Sequence, residues 1–176
     1  MKEKWKNWWW YHWVHVLIAA AVVAVILYSF LPGLLKPKPD YNVAVVSLYG
    51  MPDETMTLLE ERIRSKADDL NGDGRILIQM NLYQADLSGK TDGTVNYGEA
   101  AKLDADLVGN VSGIFLIDDP DGFQQNAVIP MEPGAPCESL PLFDGIALPE
   151  GMVFTIRSDS ASQAAYDIYN RVLSDR

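Results

Sequence analysis

The chain has 176 residues, with 24 acidic and 14 basic side chains, a formal charge of −10, 48% hydrophobic residues, one cysteine and two histidines. Both histidines, His12 and His15, lie near the start, so the rest of the chain excludes His-dependent triads, most zinc sites and any intrachain disulfide. The acidic balance likewise excludes a basic nucleic-acid-binding surface.

Val14 to Leu31 reads VHVLIAAAVVAVILYSFL, with His15, Tyr28 and Ser29 as its only polar members. Eighteen helical residues span roughly 27 Å, close to the hydrocarbon thickness of a bilayer. The run therefore predicts a transmembrane anchor over residues 14–35. Lys2, Lys4 and Lys6 precede it, whereas Lys36 and Lys38 follow Pro32-Gly33. The lysine bias makes residues 1–13 a cytoplasmic flank and sends the remainder outside. Trp5, Trp8, Trp9, Trp10, Tyr11 and Trp13 form an aromatic belt at the entry interface. A cleaved signal peptide is the rival, but its apolar region usually runs about 7–15 residues and ends at a small-residue site. Here Ala19-Ala20-Ala21 lies inside the run and Phe30 to Leu35 has no small-x-small pattern, so the expectation is an uncleaved anchor. His12 and His15, one turn apart, read as packing or headgroup contacts in preference to a metal pair.

Lys36-Pro37-Lys38-Pro39 is a stiff linker. Residues 40–176 carry 23 acidic against nine basic side chains, a formal charge of −14, which repels anionic lipid and nucleic acid and attracts cations. Asn42 to Tyr49 is short, β-branched and apolar, as a strand buried on both faces should be. Glu54 to Leu70 spaces Met56, Leu59, Ile63, Ala67 and Leu70 along one helical face, with Glu60 and Arg64 paired outside. Arg75 to Tyr83 reads as the second strand, Gln84 to Gly93 as a polar loop, and Tyr97 to Val108 as a helix with Ala100, Ala101, Leu103, Leu107 and Val108 inward. Ile114 to Ile117 is the third strand, followed by Asp118-Asp119-Pro120-Asp121 and a short helical piece to Asn126.

Pro130, Pro133, Pro136, Pro141 and Pro149 rule out regular helix and predict an ordered excursion holding Cys137, a loop or core residue. Met152 to Ile156 is a fourth strand, and Ser158-Asp159-Ser160 offers N-caps for a last helix over Ala161 to Leu173, with Ala164, Ala165, Ile168 and Val172 inward. The pattern predicts an α/β fold: after the transmembrane helix, a single three-layer domain over residues 40–176 with a mainly parallel sheet of about four strands.

Two places invite a site. Asp69-Leu70-Asn71-Gly72-Asp73-Gly74-Arg75 matches the front of a calcium loop, with Asp69, Asn71 and Asp73 at positions 1, 3 and 5, Gly74 at the sharp turn and the carbonyl of Arg75 at 7. The position of the closing glutamate is Met80, so Asp68 or Asp104 would have to substitute. The competing reading is a tight turn, which these residues also favour. The second place is the carboxyl edge of the parallel strands, where open α/β sheets bind ligands and where Ser47, Tyr49, Gln84, Asp118, Asp119 and Asp121 should gather. The aspartates would serve there as caps more readily than as metal ligands. Asn110-Val111-Ser112 matches a glycosylation sequon, relevant in a eukaryotic secretory host.

Asp40 to Val46, Asp69 to Arg75 and Gly113 to Asp119 resemble uncharacterised single-pass membrane proteins of Gram-positive anaerobes, whose outer domain resembles one lobe of the extracellular solute-binding proteins of ABC transporters. The resemblance implies a non-catalytic binding or interaction module held at the membrane by its N-terminal helix, with a partner protein or a second copy as its complement. A calcium-stabilised cell-surface domain is the alternative, and a metal-dependent hydrolase built on Asp118, Asp119 and Asp121 the third.

Overall fold

The computed structural model describes residues 2–35, 37–86, 97–127 and 129–175, and the side chains of these except 2–7, 30–35 and 97. Lys36 of the linker and residues 87–93 of the polar loop therefore lie outside the described residues, as do the side chains of Lys2, Lys4, Trp5 and Lys6. The chain divides into two compact units, Met1–Lys38 and Pro39–Arg176.

The first unit is one helix, α1, Lys2–Leu35. It is longer than the apolar run, because the aromatic flank continues the helix toward the N-terminus. Trp8–Ser29, 22 residues, is apolar enough to cross a bilayer, and none of it is buried in protein. An N-terminal signal sequence shares that property. Trp10 and Tyr11 are among its most exposed side chains, and His12 stacks on Trp8 at 5.0 Å while its Nδ1 lies 2.9 Å from the Trp8 carbonyl.

The second unit is mixed α/β around a five-stranded, mostly parallel sheet. Its elements are β1 (Tyr41–Val46), α2 (Asp53–Arg64), β2 (Ile78–Tyr83), α3 (Tyr97–Gly109), β3 (Ile114–Ile117), α4 (Pro120–Asn126), β4 (Ala135–Pro136), β5 (Val153–Ile156) and α5 (Gln163–Ser174), with 3-10 turns at Cys137–Ser139 and Pro141–Phe143. The strand order is β2-β1-β3-β5-β4. β1 runs parallel to β2 and β3, with Val43 opposite Met80 and Ile114. The chain crosses from β1 to β2 through α2, then back past β1 to β3 through α3.

Side-chain alternation along β1 divides the packing between two faces. Val43 and Val45 pack in one cluster with Leu59 and Ile63 of α2 and Ile168 and Val172 of α5. Ala44 and Val46 pack in the other with Leu103 and Leu107 of α3 and Phe123 of α4. Strands clothed on both sides have no polar face to show, which is why β1 and β3 read as unbroken apolar runs.

Several expectations are corrected. The sheet has five strands, not four, and β5 is antiparallel to β3, pairing Ile117 with Val153 and Ile114 with Ile156. The proline-rich excursion returns the chain to the end where β3 finishes, so β5 starts there and runs back without a crossover. The added strand, β4, comes from inside the excursion and pairs antiparallel with β5. Gly134, just before it, passes so close to β5 that a Cβ there would lie 2.0 Å from Val153 Cγ1.

α2 stops at Arg64, six residues before Leu70, because Lys66 and Ala67 close i−3 turns on Ile63 and Arg64. Leu70 is left exposed. On α3, Val108 is 88% exposed, and the buried positions are Leu103, Asp106 and Leu107. The N-cap of α5 is Ser162, whose Oγ accepts from Ala165 N at 3.2 Å. Asp159 instead pairs with Arg157, and Ser160 donates to Asn110 Oδ1 at 2.9 Å.

Candidate functional site

The strand order switches direction between β1 and β3, and the carboxyl ends of these strands are where open α/β sheets bind ligands. The fold brings Ser47, Gln84 and Asp118 to this end. Asp118 Oδ2 accepts from Leu48 N at 2.8 Å, tying the loop after β3 to the loop after β1. Ser47, fully buried, donates through Oγ to the Gly50 carbonyl at 3.3 Å. Gly50 has φ +75°, and the Gln84 amide lies against it, 3.6 Å from where a Cβ would stand. Asp119 caps α4, its Oδ1 accepting from Gly122 N at 3.0 Å. Asp121 sits exposed in the first turn of α4. Tyr49, in the loop after β1, is 81% exposed.

The same end of the sheet carries a cleft that sequence reasoning missed. Because β5 begins where β3 ends, Gly151 comes alongside the Asp118 carbonyl, and the excursion wraps the space beside it. The cleft has a volume of about 290 Å³ and is lined by Cys137, Phe143, Ile146, Leu148 and Met152, with Glu138 and Glu150. Phe143 is held by Phe154 of β5, ring centroids 5.7 Å apart. Cys137 donates its backbone N–H to the Met152 carbonyl at 2.8 Å, and burial pushes its thiol up to about 12. The legible signal was the apolar content between the prolines: Leu140, Leu142, Phe143, Ile146 and Leu148 mark a segment that packs.

The Asp69 loop lies at the opposite, amino end of the sheet. Asp69 accepts from Gly72 N and Gly74 N at 2.7 Å each, Asn71 from Asp73 N at 2.8 Å, and Asp73 from Arg75 N at 2.8 Å. Asp40 secures its base, accepting from Leu70, Asn71 and Leu77 N–H groups. Gly72 and Gly74 take φ of +71° and +80°, so the glycines serve the turn directly. Met80 is part-buried on β2, Asp68 is bonded to Arg171 Nη2 at 2.6 Å, and Asp104 is exposed on α3. Among the described residues no three His, Cys, Asp or Glu side chains are grouped to hold a metal.

A buried polar knot ties α3 to β2 and to the segment leading into β3. Asp106, 3% exposed, accepts from Tyr83 Oη at 2.5 Å, Ser112 Oγ at 2.6 Å and Ser112 N at 2.9 Å, while Asn81 Nδ2 donates to Ser112 Oγ at 3.3 Å. Burial first, then the Asp106 carboxylate, raises the Tyr83 hydroxyl far above its usual range. Ser112 is the third residue of the sequon and is fully buried. Arg157, 6% exposed, donates to the Leu107 carbonyl at 2.7 Å and to both oxygens of Asp159.

Compared with known proteins, the chain matches no family model, no curated protein and no solved structure.

Proposed function

We propose that this chain is a membrane-anchored, extracytoplasmic binding module that is not an enzyme, its N-terminus cytoplasmic and its acidic unit outside. The observation that carries the reading is α1, whose predominantly apolar span of 22 residues from Trp8 to Ser29 amounts to about 33 Å of helix, none of it buried. Three lysines before the span against two after it, Lys36 and Lys38, support the orientation.

The two apolar clusters either side of the sheet support a three-layer domain of the kind that forms one lobe of a solute-binding protein. With one lobe, binding falls to the carboxyl edge alone or to a complementary partner or second copy. The carboxylates that a metal-dependent hydrolase would need, Asp118 and Asp119, already serve backbone N–H groups, which favours binding over chemistry.

The test is fractionation of the full chain carrying an N-terminal tag. The expected result is full-length protein in the membrane pellet after alkaline carbonate, and loss of the acidic unit when protease is added to intact cells while the tag survives. A shortened, carbonate-soluble product would make α1 a signal peptide, and an acidic unit resistant in intact cells but cleaved after lysis would reverse the orientation.

A further inference from the structure

The two edges of the sheet are guarded differently. β4 closes one edge with two residues, one of them Pro136, and shortness and proline are how natural sheets blunt an edge. β2 forms the other edge with six residues, and no strand among the described residues pairs on its outer side. From Ile76 to Ala85 the sequence has no charge, proline or glycine, although residues 40–176 carry a formal charge of −14. An open edge of this kind is a template for another strand.

The backbone fixes which groups this edge offers. The carbonyls of Leu77 and Tyr83 accept from Tyr41 N and Ser47 N, so the odd-numbered residues of β2 turn their backbone groups toward β1. Ile78, Met80 and Leu82 therefore turn N–H and C=O outward. Their side chains pack on the α2 side of the sheet, whereas Gln79 and Asn81 alternate onto the side of Tyr83.

A second β2 laid antiparallel about a two-fold axis at Met80 is complementary to the first. Met80 falls opposite Met80 and Ile78 opposite Leu82, positions at which antiparallel strands exchange both N–H···O bonds. On the other face Gln79 falls opposite Asn81, amide against amide. The flanking charges also match, because Arg75 of one copy falls opposite Ala85 of the other, beside its Asp86. Arg75 is exposed and joins none of the described ion pairs. No like charges meet along this register, whereas the acidic unit as a whole repels a second copy.

We propose that β2 is where a second copy of this chain docks, edge to edge and antiparallel about Met80, continuing one sheet through both copies. The contact is isologous, each copy presenting the same strand to the other. This names the second copy as the complement in the binding reading above and rests on that reading.

The experiment is oxidative disulfide cross-linking of the full chain in isolated membranes, with single cysteines placed along the edge. The parent chain, whose Cys137 is 2% exposed, serves as the blank. Met80→Cys meets its own copy at about the 5.5 Å Cα spacing of a hydrogen-bonded pair, within disulfide reach. Gln84, exposed just past the strand, falls opposite Ile76, so two Gln84→Cys thiols stand roughly 27 Å apart at about 3.4 Å per residue. The expected result is a dimer of this chain at least fivefold more abundant for Met80→Cys than for Gln84→Cys. Arg75→Glu should lower it at least threefold, and adding Asp86→Arg should restore it. Gln79→Cys, exposed and one position off the axis, should give an intermediate yield and reads the edge even if Met80→Cys misfolds. No dimer above the blank, equal yields along the edge, or a yield indifferent to Arg75→Glu would overturn the docking. Cross-links to a protein of different mass would give the edge to another partner and overturn it as well. Any of these in a chain still retained by carbonate-washed membranes would leave the anchored module standing, whereas loss of the chain from those membranes would remove the module itself.

Discussion

Asp106 is the residue on which the face of α3 turns. A carboxylate inside a helix normally faces water, so the apolar spacing of the sequence puts Val108 inward and Asp106 out. The fold inverts this because three donors, the Tyr83 hydroxyl at the end of β2 and the hydroxyl and N–H of Ser112 in the segment leading into β3, converge on one carboxylate. Burial is tolerated when every lone pair finds a donor. Asp106→Ala should therefore destabilise the chain by about 3 kcal/mol, since it leaves several buried donors unpaired. Denaturant unfolding would measure it, with Asp104→Ala, on the exposed side of the same helix, changing stability by less than about 0.5 kcal/mol.

At the scale of elements, the Asp69 loop and the proline-rich excursion exchange the importance their sequences suggest. The loop has its acidic residues in calcium register, yet Asp69, Asn71 and Asp73 each accept loop N–H groups, and position 12 falls on β2. Such bonds close the turn by its own side chains, and the prediction is that it holds without an ion. The thermal midpoint of the full chain should then agree within about 1 °C between millimolar calcium and excess chelator, since a ligand at a hundredfold excess over Kd would add about 2.7 kcal/mol. A calcium-specific rise that disappears in Asp73→Ala would instead favour the calcium-stabilised domain. The excursion, by contrast, supplies β4, two 3-10 turns and the cleft. Its prolines forbid helix but leave extended chain and tight turns open, and its apolar residues choose among these only by packing on α2 and β5.

For the whole molecule, charge sets a pH window. Asp68 is held below the usual carboxylate range by its hydrogen bond to Arg171, and Asp159 by Arg157 and Ser160. Groups with depressed folded values contribute stability that is complete above about pH 4 and is lost as pH falls through the folded values. At the other end, Cys137 rises from 9.0 to about 12 through burial, so the unfolded chain ionises first and stability declines above about pH 9. The unfolding midpoint should be flat between about pH 5 and 8 and fall on both sides. Arg171→Gln should flatten the acid limb and Cys137→Ala the alkaline one, and loss of neither slope would show that other groups dominate.

The sequence alone determined the apolar N-terminal helix, the β-α-β-α-β order and the positions of α3 and β3 within a residue, because hydrophobic periodicity and run length are local properties. It also placed Asp118 and Asp119 at the strand-to-helix turn where one ties a loop and the other caps α4. Only the tertiary structure decided the reversal of β5, the existence of β4, the burial of Asp106 and the cleft of Glu138 and Glu150. Each of these joins residues far apart in the chain: Ile117 with Val153, Ala135 with Phe154, Tyr83 with Asp106. Such pairings are set by which surfaces remain to be buried once the neighbouring strands and helices have packed, and no local pattern encodes that remainder.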